Sequence, residues 1–222
     1  MKEHHLAILR RHMVEVIAIH AELSEELIGR AQLDPRVIAA MEEVPRHCFV
    51  PEPLRALAYQ DTPLPIGFEK TVSQPFIVAL MTDLLAVEPS SRVLEVGTGL
   101  GYQAAVLSRL VEHVWTIEII EELAQSAEAR LGALGYGNVT IRIGDGTSGW
   151  AEHAPFDRIL VAAGAEEVPG ALLEQLAAGG RMVIPTGPQD RQQLTLILKG
   201  PAGAVRSTPI MPVRFGALET VR

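Results

Sequence analysis

The sequence predicts an α/β protein of the doubly wound, Rossmann-like class, with helices on both faces of a mostly parallel sheet, an N-terminal helical extension and antiparallel strands near the C-terminus. Three observations carry that expectation. From Arg92 onward, short β-branched runs alternate with helix-length segments, the pattern of a parallel sheet. The first of these strands feeds a glycine turn, Glu95-Val96-Gly97-Thr98-Gly99-Leu100-Gly101. The next two strands end in Glu118 and in Gly144-Asp145-Gly146, so that three successive strand ends carry ligand-type residues.

Taken in order, apolar residues from Leu6 to Ile28 recur at helical spacing and stop at Gly29, and Asp34-Pro35 opens a second helix that ends at Val44-Pro45. Phe49 to Lys70 holds so many prolines that a long loop is expected. Ser73-Gln74-Pro75 starts a helix whose buried face is Phe76, Ile77, Leu80, Met81, Leu84 and Leu85. Strands follow at Arg92 to Val96, Val114 to Glu118, Val139 to Ile143, Asp157 to Val161 and Arg181 to Ile184. Helices are expected at Gly101 to Val111, Glu121 to Leu134 and Pro169 to Ala178. Two further β-type runs, Gln192 to Leu198 and Val213 to Phe215, have no helix between them and are expected to be antiparallel. The 222 residues suit one domain, 1–222, in which a helical and loop region, 1–88, precedes an α/β core, 89–222.

With 48% hydrophobic and 21% charged residues the chain is globular rather than disordered. A net charge of −8 argues against wide contact with a phosphate backbone, so nucleic acid is not an expected partner. Cys48 is the single cysteine and can form neither an intrachain disulfide nor a thiolate cluster, which suits a reducing, cytoplasmic setting. No apolar stretch reads as a leader or a membrane span, and no metal is expected: His5, His12 and His20 fall about two helical turns apart, roughly 10 Å or more.

The glycine turn reads G-x-G-x-G after an acid, not the G-x-G-x-x-G of a dinucleotide site. Glu95 would repel a pyrophosphate and favour a cation, and S-adenosylmethionine carries a sulfonium and an ammonium group. Glu118 lies where an acid accepts hydrogen bonds from ribose hydroxyls, and Asp145 could reach an adenine amino group. Ser73, ahead of Gln74-Pro75, reads from local sequence alone more often as a helix N-cap than as a catalyst, and the two roles can coexist.

The segments Pro45-Arg46-His47-Cys48-Phe49-Val50-Pro51, Ala58-Tyr59-Gln60-Asp61, Leu64-Pro65-Ile66-Gly67, Thr71-Val72-Ser73-Gln74-Pro75 and Val93 to Gly99 together resemble the protein-L-isoaspartate O-methyltransferase family over about Arg11 to Phe215. The resemblance implies a class I methyltransferase sheet and methyl transfer from S-adenosylmethionine to the α-carboxylate of L-isoaspartyl residues in damaged proteins and peptides. The ester then collapses to a succinimide, whose hydrolysis returns part of it to aspartate. It also implies Ser73 as the active-site serine, and cofactor contacts at Thr71, Gly97, Gly99, Glu118, Asp145 and Gly146, with Val72, Glu95 and Thr98 beside them. Leu64, Pro65, Ile66, Ser73 and Phe215 are the expected substrate contacts.

The sequence departs from that family at Phe68-Glu69-Lys70, where a glycine and a glutamine commonly precede the threonine, at Ala162, where a threonine is frequent, and at Phe215 to Leu218, which lacks a valine-proline pair. These departures bear on the acceptor and keep two other readings open: a methyltransferase for another carboxylate, and an isoaspartyl-binding adaptor without catalysis.

Overall fold

The computed structural model describes residues 3–220, so the extreme ends of the expected 1–222 domain lie outside the described residues. Helix α1 (Glu3–Leu23) buries Met13, Ile17 and Ala21, spaced four apart along one face. The expected continuation to Ile28 breaks at Ser24 into the short turn α2 (Glu25–Ile28), closed by Gly29 at φ +76. Helix α3 (Pro35–Glu43) has Pro35 in its first turn, and its N-cap Asp34 accepts the Arg36 N–H at 2.8 Å.

The segment expected to be a long loop instead contains two 3-10 turns, Arg46–Phe49 and Glu52–Leu57, and a small antiparallel hairpin of β1 (Leu64–Gly67) and β2 (Lys70–Val72). A tight hairpin is signalled by Asn-Gly or Gly-Gly in the turn, where φ must be positive. Here Phe68 and Glu69 adopt φ +52 and +57 without being glycine, which is why composition hid the hairpin.

Helix α4 (Pro75–Leu85) then runs through the core, buried at every position but Ile77. The main sheet comprises β3 (Arg92–Val96), β4 (His113–Glu118), β5 (Val139–Ile143), β6 (Phe156–Val161), β7 (Leu176–Thr186), β8 (Gln193–Lys199) and β9 (Val205–Pro212). Its order is β5-β4-β3-β6-β7-β8-β9, parallel from β5 to β7 and antiparallel for β8 and β9. The last strand differs from expectation: it covers Val205–Pro212, whose Arg, Ser, Thr and Pro residues suit a half-solvated edge, while Val213 to Phe215 lie beyond it.

Helices α5 (Tyr102–Ser108) and α6 (Glu121–Ala133) follow β3 and β4, and α7 (Gly170–Gln175) ends three residues short of expectation because Leu176 already pairs with Phe156 of β6. Alternation along the strands divides the core. Val93, Val114, Leu160 and Val183 face the layer containing α1, α3, α4, α5 and α6. Leu94, Val96, Ile117, Ile159, Val161, Met182 and Ile184 pack on the other face against Trp150, Phe156 and Leu172. Strand order reverses between β3 and β6, which is where a ligand crevice is expected beyond the carboxyl ends.

Candidate active site

A cavity of about 920 Å³ opens at that reversal point, within the range of small-molecule sites. Its floor is Val96, Gly97 and Gly99 from the turn after β3, Ile117, Glu118 and Ile119 from the end of β4, Leu123 of α6, Gly146, and Ala162 after β6. The opposite side is built by Ile66, Glu69, Lys70, Thr71 and Ser73 of the hairpin region, with Gln74, Phe76 and Ile77 at the start of α4 and His20 and Ser24 at the end of α1. Met211 to Glu219 of the C-terminal tail form the roof.

Backbone conformation explains the floor. Gly97 has φ +94, and a Cβ there would stand 3.5 Å from Ala162 across the switch point. At Gly146 a Cβ would come within 2.3 Å of Val96 Cγ1, so only glycine lets the β5 end approach β3 this closely. Glu118 Oε2 accepts the Gly99 N–H at 2.7 Å and its Oε1 accepts the Ile120 N–H at 3.0 Å. Two backbone bonds thus fix the carboxylate, and each oxygen keeps a lone pair for a donor in the cavity.

Ser73 is held from below by its own carbonyl. Arg46, wholly buried beside the Tyr102 ring at 4.7 Å, donates Nη2 to Ser73 O at 2.7 Å and Nε to Ala58 O at 2.8 Å. Burial pushes this guanidinium below its ordinary pKa. On the other side Asp61 Oδ1 accepts the Phe76 N–H at 2.8 Å and Oδ2 accepts Gln74 Nε2 at 2.7 Å, so the first turn of α4 is capped from a distant loop. Among the described residues the Ser73 hydroxyl makes no hydrogen bond, which leaves it available to a ligand.

The tail is secured over the cavity by Phe215, whose N–H donates to Gln192 Oε1 at 2.6 Å and whose carbonyl accepts Gln189 Nε2 at 2.8 Å. Gly164 donates to Gly216 O at 2.8 Å and accepts from Leu218 N at 2.7 Å. Lys70 and Glu219 form an ion pair that ties the hairpin to the tail.

Of the residues expected from sequence, Ile66, Thr71, Ser73, Gly97, Gly99, Glu118, Gly146 and Phe215 come together on this cavity. Val72 and Thr98 lie behind it, around a separate void of about 50 Å³. Leu64 is buried in the core and Pro65 faces outward, as strand alternation requires of neighbours. Asp145 does not line the cavity: its Oδ1 caps the following turn through Thr147 N at 2.8 Å and Thr147 Oγ1 at 2.6 Å.

Glu95 also lies off the cavity. It is fully buried, accepts the Thr116 hydroxyl at 2.6 Å, and its other oxygen has no partner among the described residues. Thr116, its proton spent on Glu95, accepts from Thr98 at 2.6 Å. Burial first, and then nearby Glu118, push the Glu95 carboxyl up to about 8. The carboxylate that faces the cavity at this end is therefore that of Glu118, not the Glu95 expected from sequence.

Sequence reasoning gave no role to His20, Asp61, Gln74, Arg46, Leu123 or Met211. Arg46 and Asp61 stood inside the family-like segments, but nothing in their local spacing said that they would meet around Ser73.

The family model described as protein-L-isoaspartate(D-aspartate) O-methyltransferase matches residues 18–221. Protein-L-isoaspartate O-methyltransferase 1 of Polaromonas sp. is 52% identical over 219 residues, 99% of this chain and 93% of the relative. Protein-L-isoaspartate O-methyltransferase 2 of Syntrophobacter fumaroxidans is 55% identical over 207 residues, covering 93% and 84%. Among solved structures, a protein-L-isoaspartate O-methyltransferase superposes with TM-score 0.80 at 28% identity, over 94% of this chain and 65% of its own length. A second, from Plasmodium falciparum and in complex with S-adenosyl-L-homocysteine, gives TM-score 0.73 at 26% identity, over 90% and 98%.

Proposed function

The chain belongs to the protein-L-isoaspartate(D-aspartate) O-methyltransferase family, and we propose that it methylates the α-carboxylate of L-isoaspartyl residues in damaged proteins and peptides. The observation that carries this reading is one continuous cavity with a cofactor-type floor and a serine with a free hydroxyl on the opposite side. S-adenosylmethionine fits that floor: three positions without Cβ, an oriented carboxylate at Glu118, and the apolar surface of Ile119 and Leu123. When bound it supplies an electrophilic methyl group on a sulfonium. Gly97, Gly99, Glu118 and Gly146 are the residues we assign to hold it, with Thr71 at the border between cofactor and acceptor.

The acceptor asks little of acid–base chemistry. A carboxylate with a pKa near ~4 is already ionised at neutral pH, so no group in the cavity has to remove a proton. What the chain must supply is alignment, which can contribute on the order of 7–11 kcal/mol. Ser73 donates its free hydroxyl to one acceptor oxygen and leaves the other to attack; Arg46 and Asp61 keep the serine in place. Ile66 and Phe215 flank the acceptor from hairpin and tail. Among the described residues no helix is long and apolar enough to cross a membrane, and proteins bearing isoaspartyl residues are the partners this reading assigns.

Labelled S-adenosylmethionine with paired isoaspartyl and aspartyl peptides tests the proposal. Base-labile label on the isoaspartyl peptide alone is expected, and Ser73→Ala lowers kcat/KM by roughly tenfold or more while retaining cofactor binding. Equal labelling of the two peptides would sink the repair reading.

A further inference from the structure

His20, on the last turn of α1, meets the acceptor side of the cavity with 37% of its side chain exposed. Its ring is fixed on two sides. Nδ1 lies 2.5 Å from Asp61 Oδ2, and the ring stands edge-on to Phe76 with centroids 5.4 Å apart at 70°. Nδ1 is buried and its contact with Asp61 is an ion pair that falls outside hydrogen-bond geometry, so Nε2 is the ring nitrogen left to the exposed part of the ring at the cavity. Asp61, only 6% exposed, is the same carboxylate that caps Phe76 and holds Gln74 beside Ser73. A histidine oriented through one nitrogen by a buried carboxylate, with the other nitrogen toward a ligand site, is a preorganised contact.

Methyl transfer to a carboxylate needs no base, but an anionic acceptor must enter a cavity that also carries Glu69, Glu118 and Glu219. Lys70 is paired with Glu219, and Arg214 lies on the exposed tail. Lining the same cavity are neutral Ser24 and Gln74, Glu69 and Lys70 from the hairpin, and Arg214 and Glu219 from the tail, while Asp61 from the loop before β1 meets the ring itself. Within that set His20 is the side chain backed by the carboxylate that also holds the Ser73 segment.

We propose that His20 is a substrate-contacting specificity residue whose imidazolium, ion-paired with Asp61 at Nδ1, donates Nε2–H to the α-carboxylate of the acceptor. Asp61 is then a positioning residue for both the imidazole and the helix start that carries Ser73. This rests on the isoaspartyl reading above. The donor exists only in the imidazolium form, because neutral His20 with its proton on Nδ1 leaves Nε2 a bare acceptor that repels a carboxylate.

The test is steady-state kinetics on an isoaspartyl peptide at one neutral pH for the wild-type chain, His20→Gln and His20→Phe. Both variants are expected to raise KM roughly tenfold with little change in kcat. Calorimetric S-adenosylhomocysteine binding within about twofold of wild type shows in the same samples that the cofactor floor and fold survive. A KM within about twofold of wild type in both variants, or a loss confined to kcat, overturns the assignment. A wild-type chain that binds S-adenosylhomocysteine but does not turn over the peptide sinks instead the acceptor reading, and this inference with it.

Discussion

Glu95 lies wholly buried under the glycine turn, whereas Glu118, one strand over, reaches the cavity and accepts two backbone N–H bonds. The two glutamates are equivalent in sequence terms, each at the carboxyl end of a strand, and only their surroundings separate them. The folded state raises the Glu95 carboxyl from 4.5 to about 8, so it binds a proton more tightly than the unfolded chain does. Its contribution to stability is then fully present below pH 4.5 and is lost as pH rises toward about 8. Glu95→Gln keeps the acceptor for Thr116 without the ionisation. Urea unfolding across about pH 5 to 9 is expected to show the variant gaining on wild type as pH rises, by on the order of a few kcal/mol at the alkaline end. A wild-type-minus-variant difference that does not change with pH would contradict the assigned burial.

At the scale of an element, the β1–β2 hairpin combines departure from family pattern with backbone strain. Phe68 and Glu69 hold left-handed φ values that favour glycine, and the family commonly places a glycine next to this turn. Glu69→Gly is therefore expected to stabilise the protein by about 1 kcal/mol in denaturant unfolding, unlike most glycine substitutions, and to change the acceptor side of the cavity rather than the cofactor side. A loss of stability would mean that the turn is not in this conformation. The α4 start has the opposite character. It was legible in sequence from Gln74-Pro75 and the apolar spacing, yet its cap comes from Asp61 rather than from Ser73, so the N-cap role open to the serine falls to another residue and leaves its hydroxyl for a ligand.

In the whole molecule the helical N-terminal region and the α/β core share one hydrophobic layer. α1 and α3 pack on α4, and α4 packs on β6 and β7. We infer that the chain unfolds as a single domain. Trp115 and Trp150 belong to the core on the other face of the sheet, so fluorescence reports that layer while far-ultraviolet circular dichroism is dominated by the helices. The two signals are expected to give one coincident transition. S-adenosylhomocysteine at about 100 times its Kd should raise the unfolding free energy by about 2.7 kcal/mol. Separate transitions would divide the chain near residue 88, where its two regions meet.

By itself the sequence determined the alternation of strand and helix, the glycine floor, Glu118 at the second strand end and the segments typical of the family. These are local signals, carried by period, by glycine spacing and by residues within a single strand-to-turn unit. Tertiary structure decided the rest: the strand order at the C-terminal edge, the hairpin inside an apparent loop, the burial of Glu95, and the meeting of His20, Asp61 and Arg46 around the helix start at Ser73. Contacts such as Arg46 to Ser73, 27 residues apart, depend on how distant elements pack, and short-range periodicity carries no information about that packing. The glycine turn thus marked one side of the cavity from sequence alone, while the charges on its other side were set by the fold.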